Sequence, residues 1–172
     1  MKKIVTLLAG VVVGFGLTAP PSYAAEPGDQ FVCSKVKGRW TGFGWFNFVH
    51  QPRERARCIF NVGCPSGPSS GAIQLKCAST GTEIDAVASF VIADGRANGK
   101  WKISNYGVSG TVAGKASIRD IDVFMRVGTP EYSAFGAALK IKMKEGLCKA
   151  AADVDLQTPL GLKGINLAVR RC

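Results

Sequence analysis

The sequence has few of the residues on which catalysis and cofactor binding usually depend. It contains a single histidine, His50, so any Ser-His-Asp or Cys-His catalytic arrangement would have to include that residue. No glycine-rich phosphate-binding loop precedes a helical pattern, which leaves nucleotide chemistry without support. Charged residues make up only 20% of the 172 residues, far fewer than disordered and coiled-coil proteins contain. We therefore expect a folded protein that is not an enzyme and has no cofactor.

Cysteine motifs for metal binding are also missing. The chain has six cysteines, and none lies in a Cys-x-x-Cys pair or next to the histidine. Structural zinc sites need such spacing, so we expect no metal site. An even number of cysteines in an exported chain instead predicts three disulfides, for which fifteen pairings are possible. The cysteines are Cys33, Cys58, Cys64, Cys77, Cys148 and Cys172.

Long apolar runs are absent except at the N-terminus. Residues 1–24 begin with Lys2 and Lys3, continue through an apolar stretch and end in a small-x-small pattern at Ala24 or Ala25. The apolar stretch has about 14 residues, whereas a membrane-spanning helix needs about 20. Residues 1–24 therefore predict a cleaved signal peptide. We expect residues 25–172 to form one domain in the periplasm or outside the cell, with no membrane span.

Acidic residues are few, with 12 Asp and Glu against 22 Lys and Arg. Loss of the signal peptide leaves 20 basic residues and a net charge of +8, so the excess belongs to the folded domain. Outward rows of cations would attract anionic surfaces, although such rows also serve solubility and the protection of strand edges. The candidates for a basic face are Arg53, Arg55, Arg57, Lys100, Lys102, Lys140, Lys142 and Lys144.

Along residues 25–172, apolar side chains recur mostly at every second residue. Runs of about ten residues alternate between apolar and polar side chains and are separated by Gly, Pro, Asn and Ser, as strands and turns are. Only Glu145 to Ala152 has a weakly helical pattern. The pattern predicts an all-β fold, an antiparallel up-and-down barrel of about eight to ten strands braced by disulfides. The alternative is a two-sheet β-sandwich.

One hairpin can be given a register from the sequence alone. If the second and third runs pair, Cys58 lies opposite Cys77 and Phe60 lies opposite Leu75, so the apolar partners share one face. Cys58–Cys77 is therefore the expected disulfide. By exclusion, the other expected pairs are Cys33–Cys172 and Cys64–Cys148.

Several short motifs then resemble a known group of proteins. They are Trp40-Thr41-Gly42-Phe43-Gly44, Glu54-Arg55-Ala56-Arg57-Cys58, Cys77-Ala78-Ser79, Gly99-Lys100-Trp101 and the later glycine-rich strand at Gly107 to Gly110. Together they resemble a family of secreted alphaproteobacterial proteins of unknown function, over about residues 39–144. The resemblance implies that Cys58 and Cys77 are a shared pair. It implies no catalytic residue and no ligand.

Two functions fit these features. The first is a small module that binds an apolar or anionic ligand of the cell envelope, with aromatic residues as the candidate wall of the binding site. The second is a structural or interaction protein that docks on an anionic envelope surface through a basic face. The expected partners are lipid, lipopolysaccharide or another anionic envelope component, and not nucleic acid. The ligand-wall candidates are Trp40, Trp45, Phe46, Phe48 and Trp101.

Overall fold

Strands account for nearly all of the folded chain. The structure is a computed structural model that describes residues 30–128, 136–144, 146–157 and 161–172, so the predicted signal peptide at residues 1–24 lies outside the described residues. A short helix α1 (Cys33–Val36) comes first, and a single turn of 3₁₀ helix spans Ser104–Tyr106. The strands are β1 (Gly38–Phe48), β2 (Glu54–Gly63), β3 (Ser70–Ala78), β4 (Glu83–Ala93), β5 (Arg96–Ile103), β6 (Val108–Ala116), β7 (Asp120–Val127), β8 (Gly136–Lys144), β9 (Lys149–Gln157) and β10 (Leu162–Arg170).

The ten strands form a closed antiparallel barrel. Each strand pairs with its neighbours in sequence, and β1 pairs with β10 to close the sheet. The predicted up-and-down barrel is confirmed at ten strands, and the two-sheet alternative does not occur. Closure removes both free sheet edges, so the strands that the structure describes have their backbone partners within the barrel.

Alternation along each strand separates an apolar interior from a polar outer surface. In β2, Ala56 and Cys58 are buried, whereas Arg55 and Arg57 before and between them are exposed. Successive side chains of a strand point to opposite faces of the sheet, so every second residue of each strand points into the barrel. The core is therefore the lumen of the barrel, filled by side chains from all ten strands.

The predicted hairpin register is confirmed. In the β2–β3 pair, Cys58 lies opposite Cys77 and Phe60 opposite Leu75, and the two cysteines form a disulfide inside the barrel. The other two predicted disulfides, Cys33–Cys172 and Cys64–Cys148, were wrong. The remaining pairs are Cys33–Cys64 and Cys148–Cys172.

Neighbouring chain segments at one end of the barrel explain the two corrected pairs. The N-terminal segment runs beside the β2–β3 loop, where the N–H of Cys33 donates to the carbonyl of Pro68 over 2.8 Å, and Cys64 begins that loop. The C-terminal residues run beside the β8–β9 turn, where the N–H of Arg171 donates to the carbonyl of Cys148 over 2.9 Å. Each terminus is thus bridged to the loop next to it around the barrel.

The weak helical pattern at 145–152 was also misleading. Its described residues form a turn that leads into β9, which begins at Lys149. Gly146 and Leu147 have φ values of 63° and 65°, in the left-handed region that a right-handed helix excludes. The β8–β9 pairing, which extends to Lys144 opposite Lys149, outweighs the local helical preference.

The N-terminal segment covers one end of the barrel. Phe31 and Val36 are buried, and the ring of Phe31 meets that of Phe90 edge to face at 5.9 Å between centroids. The indole N–H of Trp40 donates to the carbonyl of Val36 over 2.9 Å. The disulfide at Cys33 fixes this segment to the barrel, so residues 31–36 act as a plug over the apolar lumen.

Candidate functional site

The barrel divides the predicted aromatic wall between two faces. Trp40 and Phe46 are buried in the lumen, and Phe48 and Trp101 pack against the same core. Trp45 does not join them, because it lies next to Phe46 on β1 and therefore points outward. Four of the five candidates thus line the interior, and the assignment of Trp45 to the wall needs correction.

A small cavity lies in the interior beneath the plug. It is lined by apolar residues, among them Phe31, Trp40, Phe60, Phe90 and Ile141, and has a volume of about 90 Å³. Sites for small organic ligands usually start at about 300 Å³. Side chains therefore fill this part of the lumen too closely for such a ligand.

The predicted basic residues are all exposed, but they do not share a single face. They lie on or next to β2, β5 and β8, which are three or four strands apart around the ten-stranded barrel. The three rows therefore occupy well-separated sectors of the outer surface. The residues that face each row therefore determine how strongly that row attracts anions.

Carboxylates flank the row on β8. Lys140 lies opposite Asp122 on β7 and opposite Asp153 on β9, and Lys142 lies opposite Asp120. Lys144, at the end of the strand, lies opposite Lys149. The facing acids lower the positive potential of this row, because opposite charges on facing positions of adjacent strands attract.

The row on β5 has uncharged neighbours. Lys100 lies opposite Ser89 and Thr111. Lys102 lies opposite Val87 and Ser109. These two lysines therefore project from a surface whose facing residues carry no negative charge.

The arginines on and before β2 stack on outward aromatic rings. The guanidinium carbon of Arg53 lies 4.2 Å from the centre of the Trp45 ring, and that of Arg55 lies 5.6 Å from it. The guanidinium carbon of Arg57 lies 5.9 Å from the centre of the Phe43 ring. These distances are within the range of cation–π attraction, worth about 0.5–1 kcal/mol at exposed positions. The aromatic rings hold the arginines at defined places on the surface.

A fourth arginine comes from the other side of β1. Arg170 on β10 approaches the Phe43 ring at 6.0 Å. We call the combined surface the arginine–aromatic face. Its residues are Phe43, Trp45, Arg53, Arg55, Arg57 and Arg170.

The nearby carboxylates are engaged elsewhere. Glu54 accepts hydrogen bonds from the hydroxyl of Ser79 and the N–H of Gly81, on the side of β2 that faces away from the arginines. At the border of the face, Asp153 accepts a hydrogen bond from the side chain of Asn166 over 2.9 Å. Within the registers that the structure describes, neither Arg55 nor Arg57 faces a carboxylate. The arginine–aromatic face is thus open to an external anion.

The arrangement offers little for acid–base or metal chemistry. His50 is exposed in the turn between β1 and β2, as expected of a solvated histidine. In the part of the chain that the structure covers, no three His, Cys, Asp or Glu residues are grouped so that they could hold a metal ion. The described outer surface presents cations, hydroxyl groups and aromatic rings.

Fold and surface together define a disulfide-braced up-and-down β-barrel with cations on its outer face. No family model and no curated protein matches the sequence of this chain. Among solved structures, it is similar to the S-type phycobiliprotein lyase CPES from Guillardia theta, with a TM-score of 0.50 and 9% sequence identity. The match covers 81% of this chain and 90% of the lyase chain. At this identity the similarity concerns the fold alone.

The disulfides also bear on where the protein works. Three disulfides join all six cysteines, and such bonds persist in oxidising compartments outside the cytoplasm. Among the described residues, no helix has both the length and the apolar character to cross a membrane.

Proposed function

We propose that the protein is an exported module that docks on an anionic surface of the cell envelope through its arginine–aromatic face. Four arginines lie around two outward aromatic rings, and in the described registers neither Arg55 nor Arg57 faces a carboxylate. This arrangement is the observation that supports the proposal. The predicted signal peptide and the oxidised cysteines are consistent with a place in the periplasm or outside the cell.

Arginine can bind a phosphate group through directed hydrogen bonds as well as through its positive charge. Its planar guanidinium donates paired hydrogen bonds to phosphate oxygens and stays charged at every physiological pH. Phe43 is 47% exposed, unusually open for a large apolar ring, and it lies among the arginines. Aromatic rings settle at the boundary between lipid head groups and acyl chains, so the face combines attraction to phosphate with a shallow apolar contact.

The interior of the barrel is the weaker candidate for a ligand site. The cavity below the plug measures about 90 Å³ and is lined on one side by residues held through Cys33–Cys64. An apolar ligand of ordinary size would have to displace packed side chains, and their van der Waals attraction to the rest of the core would then be forfeited. The outer surface needs no such rearrangement.

Vesicle binding tests the proposal with two double variants of equal charge. Arg55→Ala/Arg57→Ala removes two cations of the arginine–aromatic face, and Lys140→Ala/Lys142→Ala removes two cations from the row flanked by acids. A basic residue near an anionic membrane contributes about 1 kcal/mol, so the arginine variant should bind phosphatidylglycerol vesicles roughly 30-fold more weakly. The lysine variant should weaken binding no more than a few-fold.

Salt and lipid composition supply the remaining controls. Binding should fall as salt rises from 0.1 M to 1 M, where the screening length shrinks from about 10 Å to about 3 Å. Neutral phosphatidylcholine vesicles should retain little protein. Equally weakened binding in the two variants would show that net charge, rather than this face, drives binding. If binding of the protein to the vesicles does not change with salt concentration, electrostatic docking is refuted.

A further inference from the structure

A groove on the outer surface crosses four adjacent strands away from the arginine–aromatic face. It is a shallow depression, largely open to solvent, that runs over β3, β4, β5 and β6 and has a volume of about 570 Å³. Each strand contributes three consecutive residues, and the middle ones, such as Ile73, Ala88 and Trp101, belong to the inward rows of their strands. Backbone therefore forms the floor of the groove, and the outward side chains on either side form its walls.

The two walls follow the register of the sheet. One wall runs through Ala72, Ser89, Lys100 and Thr111, which face one another on successive strands. The other runs through Gln74, Val87, Lys102 and Ser109. With neighbouring strands about 4.8 Å apart, the groove is roughly 14 Å long and lies across the strands. Such a shape fits an elongated ligand better than a compact one.

Positive charge lies at one point of this groove, on β5, and beyond both of its ends. Lys100 and Lys102 stand on opposite walls, about 7 Å apart along β5. Beyond Thr111, the first wall reaches Arg126 on β7. The second wall continues from Gln74 through Asn61 on β2 to Arg39 on β1. A long ligand that extends past both ends of the groove would meet cations on β1, β5 and β7.

Negative charge is absent from both walls over the paired residues that the structure describes. In the described sheet, Asp85 lies two residues from Val87 on the same face of β4. Asp85 lies opposite Lys76, and its carboxylate is 3.4 Å from the Lys76 amine. This ion pair partly offsets the negative charge of Asp85 beside the groove.

We infer that the groove is a second binding site, for a linear acidic polysaccharide with a carboxylate on each sugar unit. The uncharged wall residues are mostly short hydroxyl and amide side chains, which can exchange hydrogen bonds with sugar hydroxyls. Single-stranded nucleic acid would need outward aromatic rings on which its bases stack. The one aromatic residue of the groove, Trp101, packs against the core, and its indole N–H donates to the carbonyl of Thr111 over 3.2 Å.

Direct titration with oligosaccharides tests this site on the full mature protein. The probe is a polyuronate octasaccharide, compared with a neutral octasaccharide and a single-stranded DNA oligonucleotide carrying the same number of charges. Lys100→Ala/Lys102→Ala should weaken binding of the polyuronate about tenfold, because this variant cannot form two of the exposed cation–anion pairs. Lys140→Ala/Lys142→Ala, with the same change in charge, should bind as the unmodified protein does.

Crossed measurements separate this site from the arginine–aromatic face. The Lys100→Ala/Lys102→Ala variant should keep its binding to phosphatidylglycerol vesicles, and the Arg55→Ala/Arg57→Ala variant should keep its binding to the polyuronate. An equal decrease of polyuronate binding in both lysine variants would overturn the inference. So would tighter binding of the DNA oligonucleotide, or equal binding of the neutral octasaccharide. Circular dichroism of each variant checks that the barrel is folded.

Discussion

Closure of the barrel depends on a glycine at the seam between its first and last strands. Gly44 on β1 faces Leu167 on β10. An added methyl group at this position would overlap the backbone carbonyl oxygen of Asn166. A flexible side chain could move away, but a carbonyl within a paired strand cannot move without disturbing the seam. We therefore expect Gly44→Ala to destabilise the barrel.

Two opposing contributions set how far Gly44→Ala lowers the free energy of unfolding. Overpacking at a close approach costs about 1–3 kcal/mol, and a backbone obstacle places this substitution at the upper end. The reduced chain entropy of the unfolded state offsets about 0.4–1 kcal/mol. The net destabilisation is about 2 kcal/mol, which lowers the melting temperature by about 4–8 °C for a domain of roughly 150 residues.

Thermal unfolding followed by circular dichroism measures this destabilisation, with all disulfides oxidised. Gly63→Ala is the matched control, because a methyl group at Gly63, the last residue of β2, would have no heavy atom within 4 Å. The control should melt within about 1 °C of the unmodified protein, as surface substitutions usually do. If the two variants melt at the same temperature, β1 and β10 are not paired in this register and the reasoning fails.

Three further predictions concern the core, the plug and one loop. Phe46→Ala, at a fully buried ring, should cost about 3–5 kcal/mol in chemical unfolding. Replacing Cys33 and Cys64 with alanine opens a loop of 31 residues and should cost about 4 kcal/mol, with peptide mapping under non-reducing conditions confirming the other two pairs. Asn105→Ala removes a hydrogen bond of 3.0 Å to the backbone N–H of Asp85, so exchange of that amide hydrogen should accelerate while the global stability falls by about 1 kcal/mol.

Most of the fold prediction rested on the alternation of apolar and polar residues along the strands. Because one face of each strand is buried, a shift by one residue would expose its whole apolar row, so the sequence specifies both the strands and their registers. This is why the β2–β3 hairpin and its disulfide could be predicted in detail. Because the structure buries Phe46, the same alternation requires Trp45 beside it to point outward. Grouping the aromatics by type instead of by alternation produced that error.

The other two disulfides depended on information that strand patterns alone do not contain. In an up-and-down barrel with an even number of strands, both termini and alternate loops meet at the same end. The N-terminus then lies beside β2, which leads to Cys64, and the C-terminus lies beside β9, which follows Cys148. The pairing therefore requires the strand count and the closure of β1 on β10. Exclusion after the Cys58–Cys77 pair supplies neither the strand count nor the closure.

The plug is the part of the fold with the weakest sequence signal. Its helix spans only Cys33–Val36, too short to produce a helical period. Its burial depends on packing against distant residues, such as the ring of Phe90 on β4. Tertiary packing, rather than local preference, decides the conformation of so short a segment.

Strand register also determines which of the basic residues can bind an external anion. Each of the three basic rows contributes to the net charge, which sets solubility and long-range attraction. Short-range binding depends on what faces each cation, and here the rows differ: Lys140 lies between Asp122 and Asp153, whereas Lys100 lies between two hydroxyl residues. An incoming anion must compete with the acids around Lys140 but with no carboxylate facing Lys100. Since facing positions follow from strand order and register, binding by the outer surface rests on the same alternation that fills the lumen.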